Sequence, residues 1–151
     1  IEDAAVFLAR YKDGGLGHFE ATRFANGRKN ANTFEVNGER GSLYFDLEDM
    51  SRLWYFDSTE PKEVQGFRRM SVWEESHPYM SNWWVPGCAI GYEHTFTNAL
   101  ADLLAALAEG RPARPDFEDG LKCQLVLDAV LEASKKDTWV RVSDIAAAAA
   151  G

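Results

Sequence analysis

The chain is poor in the residues that would commit it to several large classes of protein. Its 151 residues include only two cysteines, Cys88 and Cys123, whose spacing makes neither a CxxC nor a zinc pattern. A disulfide framework is therefore not expected, and a reducing, cytoplasmic setting fits. Sixteen basic residues against 24 acidic ones leave a net charge of −8, the wrong sign for tracking phosphates, so no nucleic-acid partner is expected. No apolar run approaches the roughly 18 residues that a membrane helix needs, and the first residues lack a basic segment followed by an apolar one. A membrane partner and a leader are not expected either. Gly-rich phosphate loops are also missing. Gly15-Leu16-Gly17 begins like a dinucleotide fingerprint, but position 20 is Glu and the next element reads as a strand, where a phosphate needs a helix N-terminus. This reading gives the chain no cofactor-binding residues. His77, Cys88 and His94 match no metal-ligand spacing, and no nucleophile elbow occurs, so no metal and no catalytic residue are assigned. Glu93 and His94 form an adjacent acid–base pair, yet such residues at a helix start more often cap it or face water.

What is present is a run of strands followed by two helices. At 46% hydrophobic residues, the length suffices for one domain with a core. Ala4 to Tyr11 and Leu16 to Phe24 flank Lys12-Asp13-Gly14-Gly15, whose glycines supply the positive φ of a tight hairpin. Thr33 to Val36 leads into Asn37-Gly38, the strongest short hairpin signal, with Ser42 to Leu47 as the return strand. Arg52 to Asp57 and Phe67 to Trp73 have the aromatic and β-branched character of two more strands. From Gly91 to Lys136 the pattern changes to helical. Tyr92, Phe96, Leu100, Leu103 and Leu107 share one face of a first helix, which Gly110-Arg111-Pro112 stops. Asp116 reads as the N-cap of a second helix, and Glu118 and Asp119 complement its positive end. The polar stripe Gln124, Asp128, Glu132 and Lys135 of that helix is narrow, so burial on more than one side is expected. Thr138 to Val142 alternates apolar and polar residues and reads as a closing strand. Asp144-Ile145 and the five alanines before Gly151 show no face or cap, and 144–151 are expected to be an appended or disordered tail behind a single domain, 1–143. The fold class is α+β, an open, mostly antiparallel β-sheet with a helix pair packed on one face.

Between the last sheet strand and the first helix lies a loop, Glu74 to Cys88, that gathers His77, Tyr79, Trp83, Trp84 and two prolines outside regular structure. Packing over an edge is one role for so aromatic a loop. A substrate lid or an oligomer contact is the other.

The run Gly91-Tyr92-Glu93-His94-Thr95-Phe96, the helix start Phe117-Glu118-Asp119-Gly120-Leu121, the closing Trp139-Val140-Arg141-Val142 and the hairpin Phe34 to Leu43 together resemble the C-terminal domain of the Gfo/Idh/MocA oxidoreductases. The likeness covers Ala4 to Val142, and departs from the family's Gly-His-x-Ile-Gly run at Cys88. It implies an open sheet with helices on one face and self-association through the other, hence a homo-oligomer. It also implies an NAD(P)-dependent parent enzyme acting on a sugar or polyol, whose Rossmann domain, catalytic lysine and catalytic Asp–His helix are absent from this chain. By itself the chain is expected to be inactive and to bind no nicotinamide. The likeness sets the substrate between the sheet and that cofactor domain. Sugars are held by aromatic faces and by forked or amide donors, which makes Arg23, Asn26, Arg28, Asn30, His77, Tyr79, Trp83 and Trp84 the candidate substrate-binding residues. A stand-alone small-molecule binding or assembly module is the alternative reading.

Overall fold

The computed structural model describes residues 3–149. They form six strands and three helices of an α+β fold, with the strands in two open antiparallel sheets of two and four. The chain divides into two compact units, one made of Ile1–Phe24 and Asp102–Gly151, the other of Ala25–Ala101.

The first unit is built on a hairpin. Strands β1 (Ala4–Arg10) and β2 (Leu16–Thr22) pair antiparallel. Phe7 sits opposite Phe19, and their rings stack at 4.8 Å and 9°. Gly14, at φ 91°, closes the turn where the sequence expects it, with the Tyr11 amide donating to the Gly15 carbonyl at 2.8 Å. Helix α1 (Tyr92–Glu109) contributes its last turns, including the fully buried Ala106. Helix α2 (Phe117–Lys136) starts at Asp116 as expected. The Asp116 carboxylate accepts the amides of Glu118 and Asp119, and Asp119 returns the bond to the Asp116 amide, a complete capping box. Its polar stripe is also in place, with Gln124 donating to Asp128 and Lys136 paired to Glu132.

Three expectations are corrected in this unit. The second helix is not buried on several sides: only Ala129 is buried, and Leu121 and Leu127 remain 57% and 55% exposed. Thr138 to Val142 forms no strand. Asp137 turns into the left-handed region at φ 50°, and helix α3 (Val142–Ala149) starts within the segment, the Arg141 carbonyl accepting the Asp144 amide. Only about three extended residues remain, too few for a ladder, and Trp139 packs its ring under the Arg10 guanidinium instead. Residues 144–149, expected to lie in a tail, stand in α3 because alanine is the best helix former; Ala150 and Gly151 lie outside the described residues.

The second unit carries the four-stranded meander β3 (Thr33–Gly38), β4 (Gly41–Asp46), β5 (Arg52–Asp57) and β6 (Arg68–Ser71), in that order. The β3–β4 turn is not Asn37-Gly38. Both residues pair within the ladder, Asn37 with Ser42 and Gly38 with Gly41, so Glu39 and Arg40 make the turn. This register sets Phe34 against Phe45 and Val36 against Leu43, whereas a turn at Asn37-Gly38 would have set Phe34 against Gly41 and Val36 against Glu39. Apolar cross-strand matching outweighs the local turn propensity. Asn37 instead donates to Glu35 and accepts from the Ser42 hydroxyl.

Candidate functional site: an aromatic loop closed by two histidines

The loop that follows β6 is organised by hydrogen bonds within the second unit. At its start the Glu74 amide donates to His77 Nδ1 at 3.0 Å, and at its end the Gly91 amide donates to His94 Nδ1 at 2.9 Å. Each imidazole therefore accepts at Nδ1 and carries its proton on Nε2. Glu93 Oε1 lies 3.5 Å from His94 Nδ1, but a nitrogen already accepting a proton has none to give, so this contact is not an ion pair. Between the two caps, Tyr79 adopts φ 68° and opens a short 3-10 turn, Met80–Asn82, whose Met80 is buried. The left-handed tyrosine is a backbone conformation that costs free energy in a non-glycine residue.

Trp83 is the hinge of this cluster. Its indole N–H donates to Asn98 Oδ1 at 3.1 Å, and its ring meets His94 edge-on at 4.4 Å. His94 and Asn98 are four residues apart on α1 and so share a face. Trp84, the neighbouring residue, is 63% exposed. The candidate residues Asn26, Arg28 and Asn30 lie exposed on the connection before β3. That connection is anchored by Glu48, whose Oε1 accepts the Lys29 and Asn30 amides at 3.3 and 3.2 Å. Arg23 belongs to the first unit, where its amide donates to the Asp3 carbonyl. The structure thus binds Trp83 to the loop's histidine framework, fixes His77 and Tyr79 as parts of its backbone, and leaves Trp84, Asn26, Arg28 and Asn30 as exposed surface. Sequence reasoning missed Asn98 and Glu48. The four-residue spacing of His94 and Asn98 was a signal for the first; nothing local marked the second.

The sheet of the same unit presents a shallow pocket of about 330 Å³ lined by Glu35, Tyr44, Trp54 and Phe67. Elsewhere on this sheet two titrations are displaced. The hydroxyl and amide of Thr59 hold the Asp57 carboxyl below its usual range, and the hydrogen bond to Asp57 raises the Tyr55 phenol. Among the described residues no group of three or more His, Cys, Asp or Glu could hold a metal ion, both cysteines are free thiols, and no helix is long and apolar enough to cross a membrane.

An open α+β domain with an ordered aromatic loop matches one family over nearly its whole length. Residues 2–142 fit the family described as "Oxidoreductase family, C-terminal alpha/beta domain", and the chain belongs to this Gfo/Idh/MocA family. Among its relatives, levoglucosan dehydrogenase of Pseudarthrobacter phenanthrenivorans is 35% identical over 148 residues, 97% of this chain and 38% of the relative. An oxidoreductase domain protein from Kribbella flavida is 52% identical, with a TM-score of 0.91 over 94% of this chain and 38% of that one. A solved levoglucosan dehydrogenase in complex with NADH and levoglucosan is 35% identical, with a TM-score of 0.88 over 93% of this chain and 38% of its own; another holds NADH and L-sorbose. The chain spans 38% of the length of these relatives.

Proposed function

We propose that the chain is the substrate-binding and oligomerisation domain of a cytoplasmic NAD-dependent oxidoreductase that oxidises a sugar, polyol or related hydroxy compound. The observation that carries this reading is the match to a dehydrogenase whose solved structures hold NADH with levoglucosan or with L-sorbose. Hydride transfer, in this reading, draws its cofactor and its acid–base groups from a Rossmann domain and catalytic segments outside these residues. This domain's part is to hold the hydroxy compound by stacking and by polar contacts. Trp84 supplies an exposed aromatic face, His77, Tyr79 and Trp83 shape the loop beneath it, and Arg23, Asn26, Arg28 and Asn30 supply donors. In an enzyme carrying this domain behind its cofactor domain, Arg23→Ala and Trp84→Ala lower kcat/KM by about tenfold with the melting temperature held. Unchanged kinetics in both variants would move the substrate site elsewhere.

Self-association is the second half of the reading, and the sheet offers a self-complementary row for it. Glu35, Tyr44, Trp54 and Arg69 are successive cross-strand partners on β3, β4, β5 and β6. Strands lie about 4.8 Å apart, so the row spans roughly 14 Å with a carboxylate at one end and a guanidinium at the other. A two-fold axis along the strands, between Tyr44 and Trp54, sets each Glu35 opposite an Arg69 and each tyrosine opposite a tryptophan. Sedimentation at micromolar concentration should show a dimer or larger species. Glu35→Arg or Arg69→Glu alone weakens it, and the two together restore it; a monomer in the unaltered protein removes this half of the proposal.

A further inference from the structure

The two ends of the aromatic loop are held by the same pair of bonds. The His77 amide donates to the Glu74 carbonyl at 2.9 Å, and the Glu74 amide donates back to His77 Nδ1 at 3.0 Å. At the other end the His94 amide donates to the Gly91 carbonyl at 3.1 Å, and the Gly91 amide donates back to His94 Nδ1 at 2.9 Å. In both places an imidazole does what a glutamate or glutamine does in a capping box, returning a bond to the backbone three residues before it. The substitution of histidine matters chemically. A carboxylate or an amide oxygen accepts throughout the neutral range, whereas Nδ1 accepts only while the ring is neutral, and histidine is the side chain that changes charge between about pH 5 and 8.

His94 has a second partner within reach. Glu93 Oε1 lies 3.5 Å from the same Nδ1, where it is of no use to a neutral ring, since both atoms accept. Protonation reverses the preference: Nδ1–H no longer receives the Gly91 N–H and donates instead to the carboxylate, a charge-assisted bond. A ring that turns to Glu93 cannot keep its edge-on contact with Trp83, whose indole N–H is held by Asn98. The loop sets the uncharged Trp83 ring against His94, and on α1 the groups at hand are the Glu93 carboxylate and the positive end of the helix. Beside His77 in the chain stand Glu74 and Glu75, and the loop's other titratable groups are Tyr79 and Cys88. We infer that His77 and His94 form a pH-sensitive latch on the aromatic loop: neutral, they hold its two ends and seat Trp83; protonated, they release both ends, and His94 exchanges the Gly91 amide for the Glu93 carboxylate. The loop's order is thus complete in alkaline solution and is lost as the pH falls through the histidine range. That the latch governs capture of a hydroxy compound beside Trp84 rests on the proposed function; the latch itself rests on the loop's own hydrogen bonds.

NMR of the nitrogen-15-labelled chain between pH 8 and pH 5 tests this with neither substrate nor cofactor, so a failure here leaves the oxidoreductase reading standing, and a failure of that reading leaves this test intact. At pH 8, long-range proton–nitrogen spectra should show both rings neutral with the proton on Nε2, and the Glu74 and Gly91 amides should each show a coupling to Nδ1 across the hydrogen bond. As the pH falls both couplings should vanish, the exchange protection of these two amides should drop about tenfold, as for the loss of one hydrogen bond, and the Trp83 indole resonance should move with the midpoint of His94. In His94→Gln, whose side-chain oxygen accepts at every pH, the Gly91 amide should stay protected down to pH 5. Glu93→Gln, which takes the partner from the protonated ring, should move the midpoint to lower pH, and His18→Gln, on β2, should change nothing. Rings still neutral at pH 5, a His94 that titrates while the Gly91 amide and the Trp83 indole stay as they were, or a His94→Gln chain whose Gly91 amide still follows the pH would each overturn the latch. So would loss of protection in the β4–β5 ladder at the same midpoint, which would show the whole unit unfolding in acid.

Discussion

Replacing Gly41 with alanine probes the β3–β4 register most sharply. A Cβ at Gly41 would stand 2.3 Å from the Phe56 carbonyl oxygen and 3.7 Å from Asp57 Cα. Both obstacles are backbone of the neighbouring strand β5, so neither can rotate aside, and relief requires β4 and β5 to part locally. Overpacking of this kind costs about 1–3 kcal/mol, which at roughly 2–4 °C per kcal/mol for a chain of this size lowers Tm by about 2–12 °C. Gly38→Ala is the internal comparison. Its Cβ would meet only the Gly41 carbonyl oxygen, at an ordinary 3.8 Å, and its φ is not in the left-handed region, so Tm should move by no more than about 2 °C. Had Asn37-Gly38 formed the turn, Gly38 would need a positive φ and its alanine would cost about 1 kcal/mol or more, while Gly41 would tolerate one. Thermal melts by circular dichroism decide between these, with Gly66→Ala, where a Cβ meets nothing within 4 Å, as the neutral reference. A Gly38 variant less stable than the Gly41 variant refutes the register.

Asp116→Ala removes the acceptor that holds the Glu118 and Asp119 amides at 2.9 and 3.1 Å; a loss of about 1 kcal/mol is expected in urea unfolding, and Asp116→Asn should recover most of it. The Asp116 amide first, and Arg114 second, hold the Asp119 carboxyl below its usual range. Its contribution is therefore complete above the ordinary aspartate pKa and is lost as the pH falls through the lowered folded value, so amide exchange at the start of α2 should accelerate below about pH 4. Asp119→Asn should abolish that acceleration. Asn98→Leu strands the Trp83 indole N–H and should cost about 1–3 kcal/mol, with a shift in tryptophan emission, whereas Asn98→Gln should be milder.

The strands of both sheets were legible because period-two alternation and turn glycines are local signals, and the Gly14 turn fell where they put it. The Asn37-Gly38 turn was misplaced for a long-range reason: the pairing of Phe34 with Phe45 and Val36 with Leu43 decides the register, and no window of a few residues contains it. Thr138 to Val142 failed differently. Its alternation is genuine, but a ladder needs a hydrogen-bonded neighbour, and the alanines beyond it start a helix at Val142. The N-cap at Asp116 could be read from a few residues and was, whereas the return bond from the Asp116 amide to Asp119 that completes the capping box was not. In the candidate site, the aromatic loop was visible as composition. Its framework was not, since Glu74 to His77, Gly91 to His94 and Trp83 to Asn98 are bonds whose partners depend on where the loop's two ends are held.

The claim that this domain serves a sugar- or polyol-oxidising enzyme is tested most directly by joining these residues behind the cofactor domain of levoglucosan dehydrogenase, in place of the segment they match, and following NADH formation at 340 nm over a panel of sugars and polyols. The account predicts saturable NAD reduction with at least one hydroxy compound, reduced by Trp84→Ala. A folded hybrid that binds NADH yet oxidises none of them would contradict it.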